Sequence, residues 1–143
     1  DLAAECLKMD KVIADLGGID LMIVGIGMNG HIGFNEPGVP ASLYAHVISL
    51  DETTRAVGLK YFIQATKLQK GITLGLQHLL ESRKAIVMAC GVSKAKVMRS
   101  VLEDIITRDV PATIIRNHPG GVVMLDEDAA SLLNKNTAAH LHQ

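Results

Sequence analysis

Apolar and polar residues follow two different periods along the chain, and these periods predict helices and strands in turn. From Leu2 to Leu16 apolar residues recur every three or four positions, and Gly17 and Gly18 follow, which is typical of an amphipathic helix and its end. Short apolar runs predict strands at 19–24, 45–50, 72–74, 85–90 and 122–125. Strands that alternate with helices predict an α/β fold, with a mostly parallel sheet and helices on both faces.

The segments between these strands carry helical signals. Asp51 is predicted to cap a helix that runs to about Lys70, where Gly71 ends it. Further helices are predicted at 76–80, 94–103 and 127–133. Pro111 is predicted to begin a short helix in its first turn. The tail 134–143 is polar with little periodicity, so we expect it to be mobile or to form the interface arm of a homo-oligomer.

Length and composition are those of one ordinary globular domain. The chain has 143 residues, of which 48% are hydrophobic and 20% charged, and its net charge of −1 predicts neither a nucleic-acid nor a membrane partner. No apolar run is long enough to span a bilayer, and no signal segment opens the chain, so a cytoplasmic protein is expected. Cys6 and Cys90 are predicted to be buried thiols, and no Cys or His pair has the spacing of a zinc site.

The most informative segment joins the first predicted strand to a glycine-rich turn, Ile23-Val-Gly-Ile-Gly-Met-Asn-Gly-His-Ile-Gly-Phe-Asn-Glu-Pro-Gly38. Ligands of α/β proteins bind at the carboxyl ends of parallel strands, and glycines let the backbone approach a substrate closely. The turn carries His31, and Glu36 follows five residues later. A histidine can take and give a proton near neutral pH, and a carboxylate can orient its ring and stabilise its charge. A plain turn explains the glycines but not this pair, so the segment predicts an acid/base site.

The same segment also spells a dinucleotide-binding fingerprint, Gly25-x-Gly27-x-x-Gly30. That fingerprint requires a helix to begin at its third glycine, so that the helix N-terminus holds the pyrophosphate. Gly33 and Pro37 follow instead, and further glycine and proline residues come directly after them. Because no continuous helix forms through such a series, the segment does not predict a nicotinamide cofactor.

The segment Gly27-Met-Asn-Gly-His-Ile-Gly-Phe-Asn-Glu-Pro37 closely resembles the signature of the glucosamine-6-phosphate deaminase (isomerase) family. Further stretches are similar to that family's pattern: Asp51-Glu-Thr-Thr-Arg-Ala-Val-Gly-Leu-Lys-Tyr-Phe62, Gly71-Ile-Thr-Leu-Gly75, Gly91-Val-Ser-Lys-Ala95, Val110-Pro-Ala-Thr and Asn117-His-Pro119. The resemblance covers almost the whole chain and implies a Rossmann-like fold of the deaminase/isomerase type. It also implies that 1–143 is the C-terminal portion of a single sugar-phosphate domain. The N-terminal part, which carries the family's phosphate loop and main proton-transferring aspartate, is then expected to be missing.

The resemblance implies roles for individual residues. The histidine and glutamate that match His31 and Glu36 assist the opening of the sugar ring, and Asn29 stands where an acid often completes the group. Asparagine can hydrogen-bond an imidazole or a sugar hydroxyl but carries no charge. Lys94 lies at a helix start, where backbone N–H groups and the helix dipole favour a phosphate, with Ser93 as a possible cap. Substrate contacts are expected from Gly25, Gly27, Met28, Gly30, Lys60 and Lys94.

The implied reaction converts glucosamine 6-phosphate to fructose 6-phosphate and ammonia, without a metal or an organic cofactor. A 6-phosphogluconolactonase shares the fold and a similar turn but lacks the Phe-Asn-Glu-Pro continuation found at Phe34 to Pro37. A galactosamine-6-phosphate isomerase stays open, because the choice of epimer depends on contacts that the sequence does not contain. A non-catalytic sugar-phosphate-sensing module is the remaining alternative, although no segment predicts the helix-turn-helix of a transcription regulator.

Overall fold

The computed structural model of the chain describes residues 1–49 and 69–140, with side chains as far as residue 137. Asp51, Lys60 and the predicted helix that joins them lie outside the described residues. The helices and strands are α1 (Leu2–Asp15), β1 (Leu21–Gly25), β2 (His46–Ser49), β3 (Lys70–Thr73), α2 (Leu76–Glu81), β4 (Lys84–Ala89), α3 (Ala95–Glu103), β5 (Gly121–Leu125), α4 (Glu127–Ala130) and α5 (Lys135–His140). Two 3₁₀ helices, Val92–Lys94 and Pro111–Asn117, precede α3 and β5. No helix in these described ranges has the length and apolar character needed to cross a membrane.

A side-chain cap begins the first helix, and two glycines end it. The Asp1 side chain caps α1 by accepting a hydrogen bond from the Ala3 backbone N–H at 3.0 Å. Gly17 and Gly18 follow the helix with φ of +85° and +96°, a region of backbone conformation that favours glycine. The predicted helix and its glycine end are therefore confirmed.

Three strands form a parallel sheet in the order β1-β4-β5, which confirms the predicted α/β class. A second, antiparallel pair consists of β2 and β3. Lys70 pairs with Ser49 in this ladder, so the prediction of a helix as far as Lys70 is wrong. The pairing partner lies twenty-one positions earlier, and local periodicity does not reveal it.

The hydrophobic core lies on one face of the parallel sheet. On β4 the side chains of Ala85, Val87 and Ala89 point to this face and are at most 4% exposed. Helix α3 covers them with side chains that are also fully or nearly fully buried: Val97, Met98 and Val101. Residues of α2, α4 and the second 3₁₀ helix complete the same cluster. The opposite face of the sheet is exposed.

The alternation of side chains along β4 corrects one prediction about the cysteines. Cys6 on α1 is buried as expected, whereas Cys90 is exposed. Ala89 ends β4 with its side chain in the core, and the next residue points away because successive strand residues alternate. Cys90 is therefore an exposed thiol.

The C-terminal part differs from its predicted elements. Helix α4 ends at Ala130 rather than at residue 133, and a second helix, α5, begins directly after Asn134. The Asn134 side chain accepts a hydrogen bond from the Thr137 backbone N–H at 2.9 Å, and its own backbone N–H donates to Glu103 at 2.7 Å. That hydrogen bond lowers the pKa of the Glu103 carboxyl. The tail that was expected to be mobile or an interface arm thus contains a helix, α5, which is anchored to the end of α3.

His118 has a structural role. Its Nδ1 accepts a hydrogen bond from the Gly120 backbone N–H at 2.9 Å, and its Nε2 lies 2.8 Å from the Ser82 carbonyl oxygen. The ring therefore carries its proton on Nε2 and donates it to that carbonyl. Buried in this way, His118 ties the turn before β4 to the turn before β5.

A buried histidine joins α1 to α2. The side chain of His78 is 4% exposed, and its Nε2 lies 3.2 Å from an oxygen of Asp10. Tyr44 packs edge-on against the ring at a centroid distance of 5.0 Å. Burial lowers the pKa of His78 below its ordinary value of 6.5, and the negative charges of Asp10 and Glu81 oppose this effect only in part.

We expect His78 to make the stability of the 143-residue chain depend on pH. Because its pKa is lower in the folded chain, the unfolded chain binds a proton more readily between that lowered pKa and 6.5. The free energy of unfolding should therefore fall as the pH drops below 6.5, and this contribution should level off below the folded-state pKa. The free energy of unfolding in urea is measured between about pH 5 and 8 for the chain and for its His78→Gln variant, and the difference between the two pH dependences isolates the contribution of His78. Equal slopes in the two proteins would contradict it.

Candidate active site

The loop after β1 folds back on itself at the carboxyl edge of the sheet. The Gly27 backbone N–H donates to the His31 carbonyl oxygen at 2.9 Å, and the Gly30 N–H donates to the Gly27 carbonyl at 3.0 Å. Gly30 has φ of +85°, and a Cβ added to it would lie 2.5 Å from Val110 Cγ1. Its carbonyl also accepts a hydrogen bond from the Ala112 N–H at 2.9 Å. Both conformation and packing therefore require glycine at position 30, and the 110–112 segment holds the turn in place.

The ring of His31 lies directly against the backbone of Gly27. A Cβ added to Gly27 would come within 2.2 Å of His31 Cε1, which even a small side chain could not do without displacing the ring. Protein contacts thus account for the glycines at 27 and 30, and both residues are buried. Gly25 and Met28 are exposed, and a Cβ on Gly25 would meet no atom within 4 Å.

Glu36 bridges the other two side chains of the predicted catalytic group. One carboxylate oxygen lies 3.1 Å from His31 Nδ1, and the other accepts a hydrogen bond from the Asn29 side-chain amide at 2.7 Å. The contact with His31 is close but lacks the alignment of a hydrogen bond. The side chains of His31 and Glu36 are 33% and 37% exposed, so a small molecule can reach both.

Asn29 bonds the backbone of His31 and the side chain of Glu36. Its side-chain oxygen accepts a hydrogen bond from the His31 backbone N–H at 3.2 Å, while its amide nitrogen donates to Glu36. An amide can do both because it carries a donor and an acceptor, whereas a carboxylate at this position would face Glu36 with a second negative charge. Asn29 therefore fixes the carboxylate of Glu36 and the backbone of His31 at once.

Asn35 holds the end of this loop from inside the protein. It is 2% exposed, and its amide nitrogen donates to the carbonyl oxygens of Ile32 and Leu74, each at 2.9 Å. The hydroxyl of Thr73, the last residue of β3, accepts a hydrogen bond from the Phe34 N–H at 3.3 Å. The loop that carries Glu36 is thus attached to the end of β3.

Lys94 reaches the same loop from the 3₁₀ helix that follows β4. Its Nζ donates to the Ile26 carbonyl oxygen at 2.7 Å, one residue before Gly27. Lys94 closes the 3₁₀ helix, and α3 begins at Ala95 without a side-chain cap, so the prediction that Ser93 caps this helix is wrong. The Gly91 N–H donates to the Asp126 carboxylate, whose two oxygens lie 3.0 and 2.9 Å away. One backbone N–H group of the loop that was expected to bind an anion therefore donates to the Asp126 carboxylate instead.

A cavity of about 210 Å³ lies between the 27–30 turn and α3. Met28 and Asn29 line one side, and the other lining residues are Ser93, Lys96, Val97 and Ser100. Of the expected site residues, the structure brings His31, Glu36 and Asn29 together, joins Lys94 to the same loop through the Ile26 carbonyl, and places Met28 beside this cavity. Lys60 lies outside the described residues. In the described part of the chain, no group of three or more His, Cys, Asp or Glu side chains could hold a metal ion.

Comparison with known proteins identifies the family. The model of the family described as glucosamine-6-phosphate isomerases/6-phosphogluconolactonase matches residues 1–124. The chain belongs to this family. Its curated relatives include glucosamine-6-phosphate deaminases from Bacillus pumilus, 44% identical over 133 residues, and from Shouchella clausii, 41% identical over 141 residues. These alignments cover 92% and 98% of this chain but only 55% and 56% of the relatives. The chain spans about half the length of the curated relatives that it matches.

Solved structures of the family have the same fold. The structure of a monomeric glucosamine-6-phosphate deaminase superposes with a TM-score of 0.82 at 40% identity, over 92% of this chain and 55% of that one. A 6-phosphogluconolactonase from Trypanosoma brucei superposes with a TM-score of 0.67 at 22% identity, over 93% of this chain and 54% of that one. The second likeness concerns the fold alone. The family therefore places the His31 loop in an α/β protein of the deaminase/isomerase type.

Proposed function

We propose that residues 1–143 form the C-terminal portion of a single glucosamine-6-phosphate deaminase domain and supply its ring-opening group. The observation that carries this proposal is the bridge made by Glu36, whose two oxygens contact His31 and Asn29 at the carboxyl edge of β1. The family and the relatives named deaminases indicate the substrate class. The proposed reaction yields fructose 6-phosphate and ammonia in the cytoplasm.

His31 is proposed to move the proton that opens the sugar ring. Its Nδ1 faces Glu36, so Nε2 is the nitrogen left to take the proton of the anomeric hydroxyl and to return it to the ring oxygen, while the bond between the anomeric carbon and the ring oxygen breaks and the open-chain aldehyde forms. A negative carboxylate beside Nδ1 stabilises the positive charge that the imidazole holds before it gives up this proton. Asn29 keeps Glu36 in place through its amide. Proton transfers of this kind need neither a metal nor an organic cofactor.

The phosphate of the substrate is proposed to bind near Lys94. Its ammonium group has three N–H donors, and among the described residues only the Ile26 carbonyl accepts one of them, which leaves two donors for an anion in this part of the chain. The same contact places the positive charge one residue from Gly27, against which the His31 ring packs. Gly25, Gly27, Met28, Gly30 and Lys60 are proposed to complete the substrate contacts.

A chimaeric protein tests this function. It joins the part of the Bacillus pumilus deaminase that this chain does not match to the front of Asp1. We expect the chimaera to release fructose 6-phosphate and ammonia in equal amounts from glucosamine 6-phosphate, and the isolated 143-residue chain to release neither. The chain alone should be inactive because the resemblance assigns the main proton-transferring carboxylate and the first phosphate loop to the other part.

The substrates compared in this assay distinguish the alternatives. Galactosamine 6-phosphate and 6-phosphogluconolactone are offered beside glucosamine 6-phosphate, with the native Bacillus pumilus enzyme as the positive control. Turnover of the lactone alone, or deaminase activity of the isolated chain, would refute the proposal. Preference for galactosamine 6-phosphate would identify the other epimer as the substrate.

A further inference from the structure

Glu36 ends a turn whose position other residues must fix. One of its carboxylate oxygens is 3.1 Å from His31 Nδ1, and both side chains are partly exposed. An exposed pair of this kind contributes little free energy and does not fix its own geometry. Just before Glu36 the Asn35 backbone N–H donates to the Ile32 carbonyl oxygen at 2.9 Å, which closes the 32–36 turn. The contact between Glu36 and His31 therefore depends on what holds this turn.

Asn35 ties the turn to the residue that follows β3. Its side-chain nitrogen donates to the carbonyl oxygens of Ile32 and Leu74, each at 2.9 Å, and the residue is 2% exposed. A side-chain amide carries two N–H donors on one nitrogen, so it can serve an acceptor in the turn and an acceptor outside it at once. Asn35 therefore fixes the distance between the turn and Leu74.

Thr73 holds the same turn through its hydroxyl. The hydroxyl donates to the Leu74 carbonyl oxygen at 3.1 Å and accepts a hydrogen bond from the Phe34 N–H at 3.3 Å. Gly33 lies directly against it, since a Cβ added to Gly33 would be 3.1 Å from Thr73 Oγ1. Consecutive residues of the turn, from 33 to 35, thus contact the end of β3 or the residue after it.

The end of β3 is itself firmly held. Thr73 pairs with His46 in the antiparallel ladder of β2 and β3. Two residues later, a Cβ added to Gly75 would lie 1.9 Å from the Leu43 carbonyl oxygen, so the two backbones are in close contact. The same carbonyl accepts a hydrogen bond from the Gln77 N–H at 3.0 Å. The turn before Glu36 is therefore attached to a part of the fold that has little freedom to move.

We propose that Thr73 and Asn35 are positioning residues for ring opening, which act by holding Glu36 at its contact distance from His31. This inference rests on the proposed function of His31 and Glu36. Neither residue needs to touch the substrate, because Asn35 is buried and Thr73 reaches the turn from β3. Removing the Thr73 hydroxyl takes the acceptor away from the Phe34 N–H and frees the turn to shift. A small displacement of an acid/base group lowers the rate without a matching loss of substrate binding.

A double-mutant cycle in the chimaera tests this coupling. Thr73→Val, which keeps the shape but removes the hydroxyl, should lower kcat for glucosamine 6-phosphate about tenfold and leave KM nearly unchanged. Thr73→Ser keeps the hydroxyl and should restore kcat. In a Glu36→Gln background, Thr73→Val should cost less than about twofold, because the group through which Thr73 acts is already lost.

Ser82→Ala is the matched control for the loss of a hydroxyl. Ser82 is buried, and its hydroxyl donates to the Leu79 carbonyl oxygen at 2.8 Å. It lies in the turn before β4, at the end of the sheet opposite the candidate active site. We expect Ser82→Ala to lower the free energy of unfolding and to leave kcat unchanged, whereas a kcat lowered as much as in Thr73→Val would show that general destabilisation causes both losses.

The result that overturns the positioning role differs from one that overturns the proposed function. An equal cost of Thr73→Val in both backgrounds, or no cost with Glu36 in place, would overturn the positioning role. If the proposed function fails, Glu36→Gln itself leaves kcat normal or the chimaera is inactive, and NMR of this chain then tests the placement of Glu36. The side-chain amide signals of Asn29, which donates to Glu36 at 2.7 Å, should shift in Thr73→Val and Asn35→Ala but not in Ser82→Ala. Unshifted Asn29 signals in the first two variants would overturn the proposal.

Discussion

Replacing His31 with alanine in the chimaeric protein is expected to lower kcat for glucosamine 6-phosphate by about 10²–10⁴-fold, the usual contribution of a positioned acid/base group. The ring lies against Gly27, and its Nδ1 is 3.1 Å from Glu36 Oε1, so removing it leaves the carboxylate without a group that can pass a proton to the substrate. KM should change little, because the phosphate and the remaining hydroxyls still bind. Steady-state kinetics with the cyclic substrate measures both constants.

Glu36→Gln should cost less than His31→Ala, because glutamine misorients the imidazole and removes the compensating charge without removing the ring. Two matched controls are His46→Ala, in β2, and Glu127→Gln, in the first turn of α4. Neither control residue contacts the 27–36 loop through a side-chain hydrogen bond or ion pair in the described part of the chain. Near-normal kcat in both His31→Ala and Glu36→Gln would show that ring opening is assigned to the wrong residues.

Lys94→Ala is expected to reduce kcat/KM by about 10–150-fold, which corresponds to the roughly 1.5–3 kcal/mol of a charged hydrogen bond. Most of this loss should be a higher KM, because the phosphate is remote from the bonds that change. Part of it should be a lower kcat, since remote binding energy also positions the reacting carbons. The lost hydrogen bond to the Ile26 carbonyl, 2.7 Å long in the structure, adds to this second part.

Inhibition by inorganic phosphate distinguishes the two roles of Lys94, which are to bind the substrate phosphate and to hold the loop at Ile26. As a competitive inhibitor it should bind Lys94→Ala more weakly and Lys94→Arg with nearly normal affinity, because arginine keeps the charge. Lys84→Ala is the control, since Lys84 lies at the opposite end of the same sheet. Unchanged kcat/KM together with unchanged inhibition by phosphate in Lys94→Ala would place the phosphate elsewhere.

The parallel sheet could be predicted from sequence because its signals are local. The apolar run at 85–90 differs from β4 by a single position at each end, because the strands of parallel sheets are typically continuous apolar runs. Lys70 was assigned to a helix because its strand depends on pairing with Ser49, far away in the sequence. Helix α5 was missed because its stability depends on contacts such as that of Asn134 with Glu103, and its own residues have little periodicity.

Local sequence signals also identified some residues of the candidate site, whereas contacts between distant residues could not be predicted. His31 and Glu36 could be identified because one short segment contains both and surrounds them with glycines. The contact of Lys94 with the Ile26 carbonyl could not, since it follows from the adjacency of β1 and β4. The part played by Asn35 also depends on a distant group, the Leu74 carbonyl. The one local signal for Asn35 was its position beside Glu36, in a loop that has no other charged side chain.

The rate at which glucosamine 6-phosphate interconverts its α and β anomers tests ring opening most directly. Interconversion needs only ring opening and closure, so it does not depend on the later loss of ammonia. Freshly dissolved single-anomer substrate is followed by NMR with the chimaera and with its His31→Ala variant. The account predicts that the chimaera accelerates interconversion well above the buffer rate and that His31→Ala returns it to that rate. Equal acceleration by both proteins would contradict the assignment of ring opening to the His31 loop.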